Sequence, residues 1–458
     1  MKKRTISGKR KPLQSLPQVE PDAAGVDVGA REMYVAVPAN RDEEPVRVYQ
    51  TFTCDLNAIA DWLLACEIRT VAMESTGVYW IPLYQILEAR GIQVCLVNAR
   101  HMRNVPGRRT DWHECQWLQY LHSVGLLRAA FRPEQAVCAI RSVMRHRGKL
   151  VELASHHIQH VHKALTQMNL QIHHVINDIT GVTGRAIMEA ILSGERDAAK
   201  LARFREAEVK ADEETIRQSL EGDWREEHLF TLRQSWRMHI CYVGAIEECD
   251  QRIAELLGAL EPKVDVEKNP LPPDNKRRTR RNNKRTGDFR FDVRTEAYKR
   301  FGVDVTRIPG LNGIAISLYS ELGADLSRWP TAGQFASWTA LCPDNDKTGG
   351  RVTYTGVRQV QSRVAQLFRQ GANSLHRSPT LLGAYLRRMK AKIGPQAAIT
   401  ATAHRIARIF YAMVRAQVEY DETLWEKQDT NRQHRLEARI KRQAHQLGYQ
   451  LVPLQPLT

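Results

Sequence analysis

Four acidic residues of the chain stand where they could hold metal ions together. Asp27 lies in the apolar segment GVDVG, Glu74 ends the segment VAME, and Asp111 and Glu114 stand three residues apart in GRRTDWHEC. Mg²⁺ prefers oxygen ligands, and enzymes that transfer phosphoryl groups often hold two divalent ions about 4 Å apart. Three or four carboxylates brought together by the fold would therefore suit Mg²⁺-dependent chemistry at a phosphodiester.

Each acid also has a purely structural interpretation. Asp27 could cap a turn, and Glu74 could be an ordinary acid at a strand end. Asp111 and Glu114 fit the D-x-x-E pattern of a capping box, with Asp111 as the N-cap of a helix and Glu114 as its third residue. Taken alone, Asp111 and Glu114 favour a capping box. A metal site is favoured when all four acids are considered together, because each stands at the position that one fold would require.

The elements that must position these acids alternate between strand and helix patterns from Ala24 onward. Three strand-like segments are followed by a helix, a strand, a helix, a strand and a helix that starts near Asp111, which predicts a mixed α/β sheet. In a ribonuclease-H-like sheet the first acid lies on the central first strand, the second at the end of the fourth strand, and the others on a late helix. The i, i+3 spacing puts Asp111 and Glu114 on one helix face, which Leu118 and Leu121 continue toward the sheet.

The rest of the chain divides by composition. From about residue 134 glycine and proline become sparse, and heptad-like spacing indicates long helices. We interpret these helices as an antiparallel coiled-coil arm. A second compact, mainly helical region starts near residue 301. The predicted organisation is a basic disordered tail (1–22), a ribonuclease-H-like acid-site domain (23–133), the coiled-coil arm (134–262), a basic linker (263–300), a C-terminal domain (301–420) and a basic helical tail (421–458).

Soft metal ligands give no comparable site. The eight cysteines form no C-x-x-C pair, which argues against zinc and for thiols in a reducing compartment. Four histidines of the arm (156, 157, 160 and 162) could bind a metal, but they lack a carboxylate partner, and a solvated helix face is favoured.

The formal charge of +16 and the isoelectric point of about 9.6 indicate a polyanionic partner. Nucleic acid is the favoured partner and an anionic membrane the second choice. The alternative is that the charge only keeps the protein in solution. The sequence contains no run of about 18 apolar residues that would predict a membrane span. The N-terminus lacks the apolar segment of a signal peptide, so a cytoplasmic protein is expected. Seven basic residues of the linker could bind phosphates, although a nuclear signal is the alternative: Lys276, Arg277, Arg278, Arg280, Arg281, Lys284 and Arg285.

The segment IPGLNGIAISLYSELG (308–323) is similar to half of a helix-hairpin-helix. Its glycines allow a tight turn, and backbone N–H groups at the start of the following helix could hold a phosphate.

Longer motifs resemble one family. GVDVGA, ESTGVYWIPLYQILEARGIQVCLVNARHMRNVPGRRTD and CQWLQYLHSVGLLRAAFRP resemble the N-terminal domain of insertion-sequence 110 family transposases, closest to the 1111 subgroup. IPGLNGIAISLYSELG, FASWTALCPDND, SLHRS and AITATAHRIARIFYAM resemble the C-terminal transposase domain of that family. The resemblance covers most of residues 24–452, and the motifs occur in family order.

The resemblance implies a Holliday-junction-resolvase-like DEDD domain and a C-terminal domain with a catalytic serine. Such enzymes are recombinases that excise and insert their element, and family members are guided by a structured RNA encoded beside the transposase gene. The expected partners are therefore DNA, as element ends and target, and a guide RNA. Because two strands need two active sites, a homodimer or homotetramer is expected.

Asp27, Glu74 and Asp111 match the first three acids of the family. Two positions depart from its pattern. Glu114 stands where the family's T-D-x-x-D motif has aspartate, and Thr348, in DKTGG, stands where the family has its nucleophilic serine. Threonine is a possible nucleophile, although its methyl group stiffens χ1. Gly349 and Gly350 would let the backbone approach the phosphate closely, and the nearby residues 353–355 offer substitute hydroxyls.

Two other functions stay open. A metal-dependent junction nuclease would use the acid site alone, without a covalent protein–DNA link. A degenerate copy would still bind nucleic acid but would not cut it, and the departures at Glu114 and Thr348 favour this alternative.

Overall fold

The computed structural model describes residues 17–75, 77–98, 110–273, 287–354, 356–358, 362–422, 438 and 440–449. All seven basic linker residues lie outside this part of the chain. The contacts divide the chain into two units, Met1–Arg132 and Pro133–Thr458. No helix of the described residues is long and apolar enough to cross a bilayer.

The first unit has the predicted order of strands and helices. Its elements are β1 (Ala23–Val28), β2 (Glu32–Ala36), β3 (Val46–Gln50), α1 (Thr53–Ala65), β4 (Thr70–Glu74), α2 (Trp80–Ala89), β5 (Gln93–Val97) and α3 (Asp111–Ser123).

These strands form one mixed sheet in the order β3-β2-β1-β4-β5. β1 lies at the centre, antiparallel to β2 and parallel to β4. Every residue of β4 is buried, as expected for a parallel strand that is covered on both faces. The main core contains Ile59 and Leu63 of α1 and Leu83 and Leu87 of α2. A separate cluster contains Leu118 and Leu121 of α3, which confirms that this helix packs on the sheet.

The second unit begins with two helices of 33 residues each, α4 (Gln135–Gln167) and α9 (Glu226–Gly258). At 1.5 Å per residue each is about 50 Å long. Arg147 contacts Asp250 and Ala154 contacts His239, so the two helices run antiparallel. Four shorter helices join them: α5 (Ile172–Val175), α6 (Val182–Ser193), α7 (Ala198–Ala202) and α8 (Glu213–Ser219).

The remainder of this unit is mainly helical. Its elements are α10 (Val293–Phe301), a 3₁₀ turn (Val305–Arg307), α11 (Ala315–Leu322), α12 (Ala332–Trp338), the hairpin strands β6 (Asp346–Thr348) and β7 (Arg351–Tyr354), α13 (Arg363–Asn373), α14 (Leu381–Ile393) and α15 (Pro395–Ala416). Four fully buried rings, Phe301, Phe335, Phe368 and Phe410, pack in its core. Helix α10 begins inside the range 263–300 that composition alone assigned to the linker and ends one residue beyond it.

A buried ion pair holds the two long helices together. Arg147 Nε donates to Asp250 Oδ1 at 2.5 Å, and both side chains are almost fully buried. The guanidinium also donates to the carbonyl oxygens of Gly287 and Asp288 at 3.2 Å and lies 4.0 Å above the Phe289 ring. The described chain that follows the basic segment is therefore fixed to α4 and α9.

We expect Arg147→Met to destabilise this helix pair by about 3–5 kcal/mol, because it leaves the Asp250 carboxylate buried without its ion-pair partner. Hydrogen exchange of peptides from α4 and α9 measures the loss as faster exchange. The control Arg252→Ala removes an exposed pair with Glu255 and should cost less than about 1 kcal/mol. Exchange in Arg147→Met that matches wild type would show that the pair does not stabilise the helices.

Candidate metal centre

Three of the four predicted acids converge in the first unit. Asp27, Glu74 and Glu114 each offer one carboxylate oxygen, and these three oxygens lie within 4.8 Å of one another. A donor set made only of carboxylate oxygens fits a hard divalent cation such as Mg²⁺ or Mn²⁺. No second group of three His, Cys, Asp or Glu ligands occurs in the described parts of the chain, so the histidines of α4 do not form a comparable site there.

The sheet places the first two acids side by side. Val26 of β1 pairs with Met73 of the parallel strand β4, and Asp27 and Glu74 are the next residue of each strand. Side chains at matching positions of neighbouring strands point to the same face. Both acids therefore project from one face, at the end of β4.

Helix α3 brings the third acid to the same face because it packs exceptionally close to β1. A Cβ atom on Gly25 would lie 2.3 Å from both the Cys115 carbonyl oxygen and the Gln119 backbone nitrogen. Gln119 Nε2 also donates to the Ala23 carbonyl oxygen at 3.1 Å. Glu114 directly precedes Cys115, so this contact fixes it opposite the strand.

The small residues around Asp27 thus have a packing role, because Gly25 accommodates the backbone of α3. A Cβ on Gly29 would lie 2.5 Å from the Glu32 carbonyl oxygen, so Gly29 serves the turn between β1 and β2.

The capping-box interpretation of Asp111 is wrong. The N-cap of α3 is Thr110, which has extended backbone angles and whose Oγ1 accepts from the His113 backbone N–H at 3.4 Å. Asp111 is the first helical residue and Glu114 lies in the first turn. Both carboxylates thus stand at the positive end of the helix dipole, which favours negative charge.

Asp111 is exposed and is not one of the three converging ligands. Its charge nevertheless acts on groups near them. Burial raises the pKa of the Cys115 thiol to about 12, and the charges of Asp27 and Asp111 add to this effect. Burial and Glu32 raise the pKa of Tyr34, with further contributions from Asp111 and Asp27. Asp27 and Asp111 therefore lie in the same electrostatic environment.

The sequence did not single out Tyr34 as part of this environment. It lies on β2 directly opposite Asp27 in the antiparallel register. Strand pairing across the turn between β1 and β2 was the signal that could have found it.

The predicted hydroxyl lies in the second unit. Thr348 is exposed and is the last residue of β6, paired with Arg351 of β7. Gly349 and Gly350 form the two-residue turn between them, with φ of 57° and 80°. Hairpin turns with positive φ at both central residues favour glycine, so the turn by itself explains both glycines. Residue 355 lies outside the described residues.

The glycine-rich segment after the 3₁₀ turn also has a packing role. A Cβ on Gly310, whose φ is 92°, would lie 2.4 Å from the Gly371 carbonyl oxygen of α13. The close approach of two backbones thus requires glycine there, whether or not the segment binds phosphate.

Two family models match the chain. One, the DEDD domain model of insertion-sequence 110 elements, described as "Transposase", matches residues 24–170. The other, described as "Transposase IS116/IS110/IS902 family", matches residues 304–386. The matches define a DNA transposase, an enzyme of the recombinase class. Together they span just over half of the chain, which belongs to the insertion-sequence 110 family of transposases. No curated protein matches the chain.

We expect Gly25→Ala to disrupt the acid cluster, because the new methyl group meets the backbone of α3 and must push the helix away. Binding of Mn²⁺, followed by calorimetry, should weaken at least about tenfold, since ligand positions shift.

Gly148→Ala is the matched control, because nothing lies within 4 Å of its added Cβ and alanine favours a helix. Unchanged Mn²⁺ affinity in a folded Gly25→Ala protein would contradict the role assigned to this contact.

Proposed function

We propose that this transposase cuts and rejoins the DNA strands of its insertion sequence with a divalent-metal site and a hydroxyl nucleophile. The convergence of Asp27, Glu74 and Glu114 within 4.8 Å carries the proposal. The central position of β1 and the place of Glu74 at the end of β4 support a ribonuclease-H-like domain, in which acids occupy these strands.

The three carboxylates would hold Mg²⁺ at the scissile phosphate. When bound, the ion supplies charge stabilisation for the transition state of phosphoryl transfer. Glu114 meets the other two acids even though its side chain is one methylene longer than aspartate, so this departure from the family does not by itself remove the site. Asp111, at the start of the same helix, would add negative charge and complete the set of four acids.

The Thr348 hydroxyl would attack the phosphate and form a P–O bond to one strand end, while the P–O bond to the other strand end breaks and that end leaves as a free hydroxyl. Its place at the end of a narrow hairpin supports this role, because the side chain is exposed and the turn carries no other side chain. The backbone of Gly349 and Gly350 could approach the phosphate there, since nothing lies within 4 Å of a Cβ built on either residue.

The net charge of +16 supports two polyanionic partners, element DNA and a structured guide RNA. The seven basic residues between Lys276 and Arg285 would bind their phosphates. Cutting two strands would require two copies of each site, so the working form would be a homodimer or homotetramer in the cytoplasm.

A junction nuclease is the second candidate. It is favoured by the contrast between an assembled acid cluster and a nucleophile position that carries threonine instead of serine. A copy that binds nucleic acid without cutting it would require the acid cluster to be inactive.

The nucleophile is tested by incubating the protein with element-end DNA and Mg²⁺ and separating the products on a denaturing gel. We expect a covalent protein–DNA adduct with wild type and none with Thr348→Ala. Thr348→Ser should keep or raise the yield, because it removes the methyl group that restricts the side chain. An adduct with Thr348→Ala would exclude this nucleophile, and cleavage without any adduct would favour the junction nuclease.

The acid site is tested by removing single charges without changing side-chain shape. Glu114→Gln should lower strand cleavage at least about a hundredfold, because metal ions contribute several kcal/mol of transition-state stabilisation. Asp111→Asn should have a smaller effect, since its carboxylate is outside the group of three.

Glu43→Gln is the control, an exposed acid of the same unit that should leave cleavage unchanged. Equal cleavage by Glu114→Gln and wild type would contradict the proposed site.

A further inference from the structure

The second unit contains a cavity of about 590 Å³ that none of the predicted site residues line. It lies among α14, α15 and the chain after α15. Tyr385 and Tyr420 contribute aromatic rings, and His404, Arg405 and Arg408 contribute nitrogen groups. The volume falls within the range of about 300–1,000 Å³ that is typical of small-molecule sites.

One side of the cavity combines an aromatic ring with guanidinium groups. The Arg405 guanidinium carbon lies 4.5 Å from the centre of the Tyr385 ring, and that of Arg388, which does not line the cavity, lies 5.4 Å from it. Nucleobases stack on tyrosine rings and on guanidinium planes, and this combination is common where proteins bind single-stranded nucleic acid. Ile409 and Met413 of α15 add apolar surface.

Residues 418–421 form another part of the cavity wall, and the chain from Gln417 to Glu422 is anchored along its length. Gln417 Nε2 donates to the Phe301 carbonyl oxygen at 3.0 Å. The Glu419 carboxylate accepts from Arg307 at 3.4 Å, and that of Glu422 accepts from the Leu381 backbone N–H at 2.8 Å. Tyr420 stands between these anchors, so the wall is formed in advance of any ligand.

The Tyr420 hydroxyl is buried and has no hydrogen-bond partner among the described residues. Burial and the charge of Glu422 raise the pKa of this phenol, so it remains a hydrogen-bond donor. Burial and the nearby Arg408 lower the pKa of His404, which keeps its imidazole neutral near pH 7. Because buried polar groups are normally paired, this unpaired hydroxyl, carried by a residue that lines the cavity, would gain a partner if it turned toward an acceptor on a ligand.

We propose that this cavity binds one unstacked nucleotide of a single-stranded DNA or RNA segment. The base would stack on Tyr385, its edge would accept a hydrogen bond from Tyr420, and its phosphate would contact Arg408, which is exposed on α15. Glu419 and Asp421 also line the cavity and would repel further phosphates there, which favours one nucleotide over a continuous strand. The inference rests on the proposed function, because it takes its ligand from the nucleic acids of transposition.

The test uses the full chain and two short oligonucleotides of the same sequence, one single-stranded DNA and one single-stranded RNA, each with one 5-iodouracil. After ultraviolet cross-linking, mass spectrometry should find the label on a peptide that contains Tyr385 or Tyr420. The strand that cross-links identifies the source of the nucleotide.

Affinities of the same oligonucleotides are measured by fluorescence anisotropy. Tyr385→Leu should weaken binding by about 5- to 150-fold, the effect of losing one base–aromatic stack. Tyr385→Phe keeps the ring and should bind with wild-type affinity. Tyr420→Phe should cost about fivefold, as expected for one neutral hydrogen bond. Arg408→Ala should lower the salt slope of binding by about 1, unlike Arg415→Ala, an exposed arginine of the same helix that does not line the cavity.

Wild-type affinity in Tyr420→Phe and Arg408→Ala, with cross-links outside the cavity, would overturn the inference even if Tyr385→Leu failed to fold. The proposed function would survive that result, because cleavage is assayed separately with Glu114→Gln. A wild-type protein that binds neither oligonucleotide would also overturn the inference, and only a simultaneous absence of cleavage would reject the proposed function with it.

Discussion

The close approach of α3 to β1 is the contact on which the candidate metal centre depends. Gly25 lets the helix backbone pass where a Cβ atom would lie 2.3 Å from its atoms. The helix carries Glu114 and the strand carries Asp27, so the distance between these carboxylates follows from how closely the two backbones pack. Cys115 and Leu118, both buried, hold the helix in this position by packing.

Buried charges have a comparable role in the second unit. Arg147 joins α4 to α9 and to the chain at Gly287. Two residues earlier on α4, the partly exposed Arg145 forms a two-pronged pair with the buried Glu321 of α11, at 2.9 and 2.8 Å. Breaking a buried pair leaves an uncompensated charge. These pairs therefore help to fix the long helices in one register relative to each other and to α11.

The two proposed catalytic parts of this chain have different support. At the acid site, the Glu114 carboxylate meets those of Asp27 and Glu74. At the hairpin, the proposed nucleophile Thr348 precedes two glycines that are explained by positive φ. The acid cluster is thus supported by geometry, while the nucleophile is supported by the family pattern and by exposure. The cavity beside Tyr420 is separate from both.

The sequence by itself determined the order of strands and helices in the first unit, because alternation and helical spacing are local signals. It also marked Asp27, Glu74, Asp111 and Glu114 as candidate metal ligands, of which all but Asp111 converge. Only the tertiary structure decided which acids converge, that Thr110 and not Asp111 caps α3, and that Gly25 serves the helix. It alone brought Tyr385 together with Tyr420. These outcomes depend on how closely backbone segments that are distant in sequence approach each other in space. Neither residue spacing nor composition predicts that spatial distance.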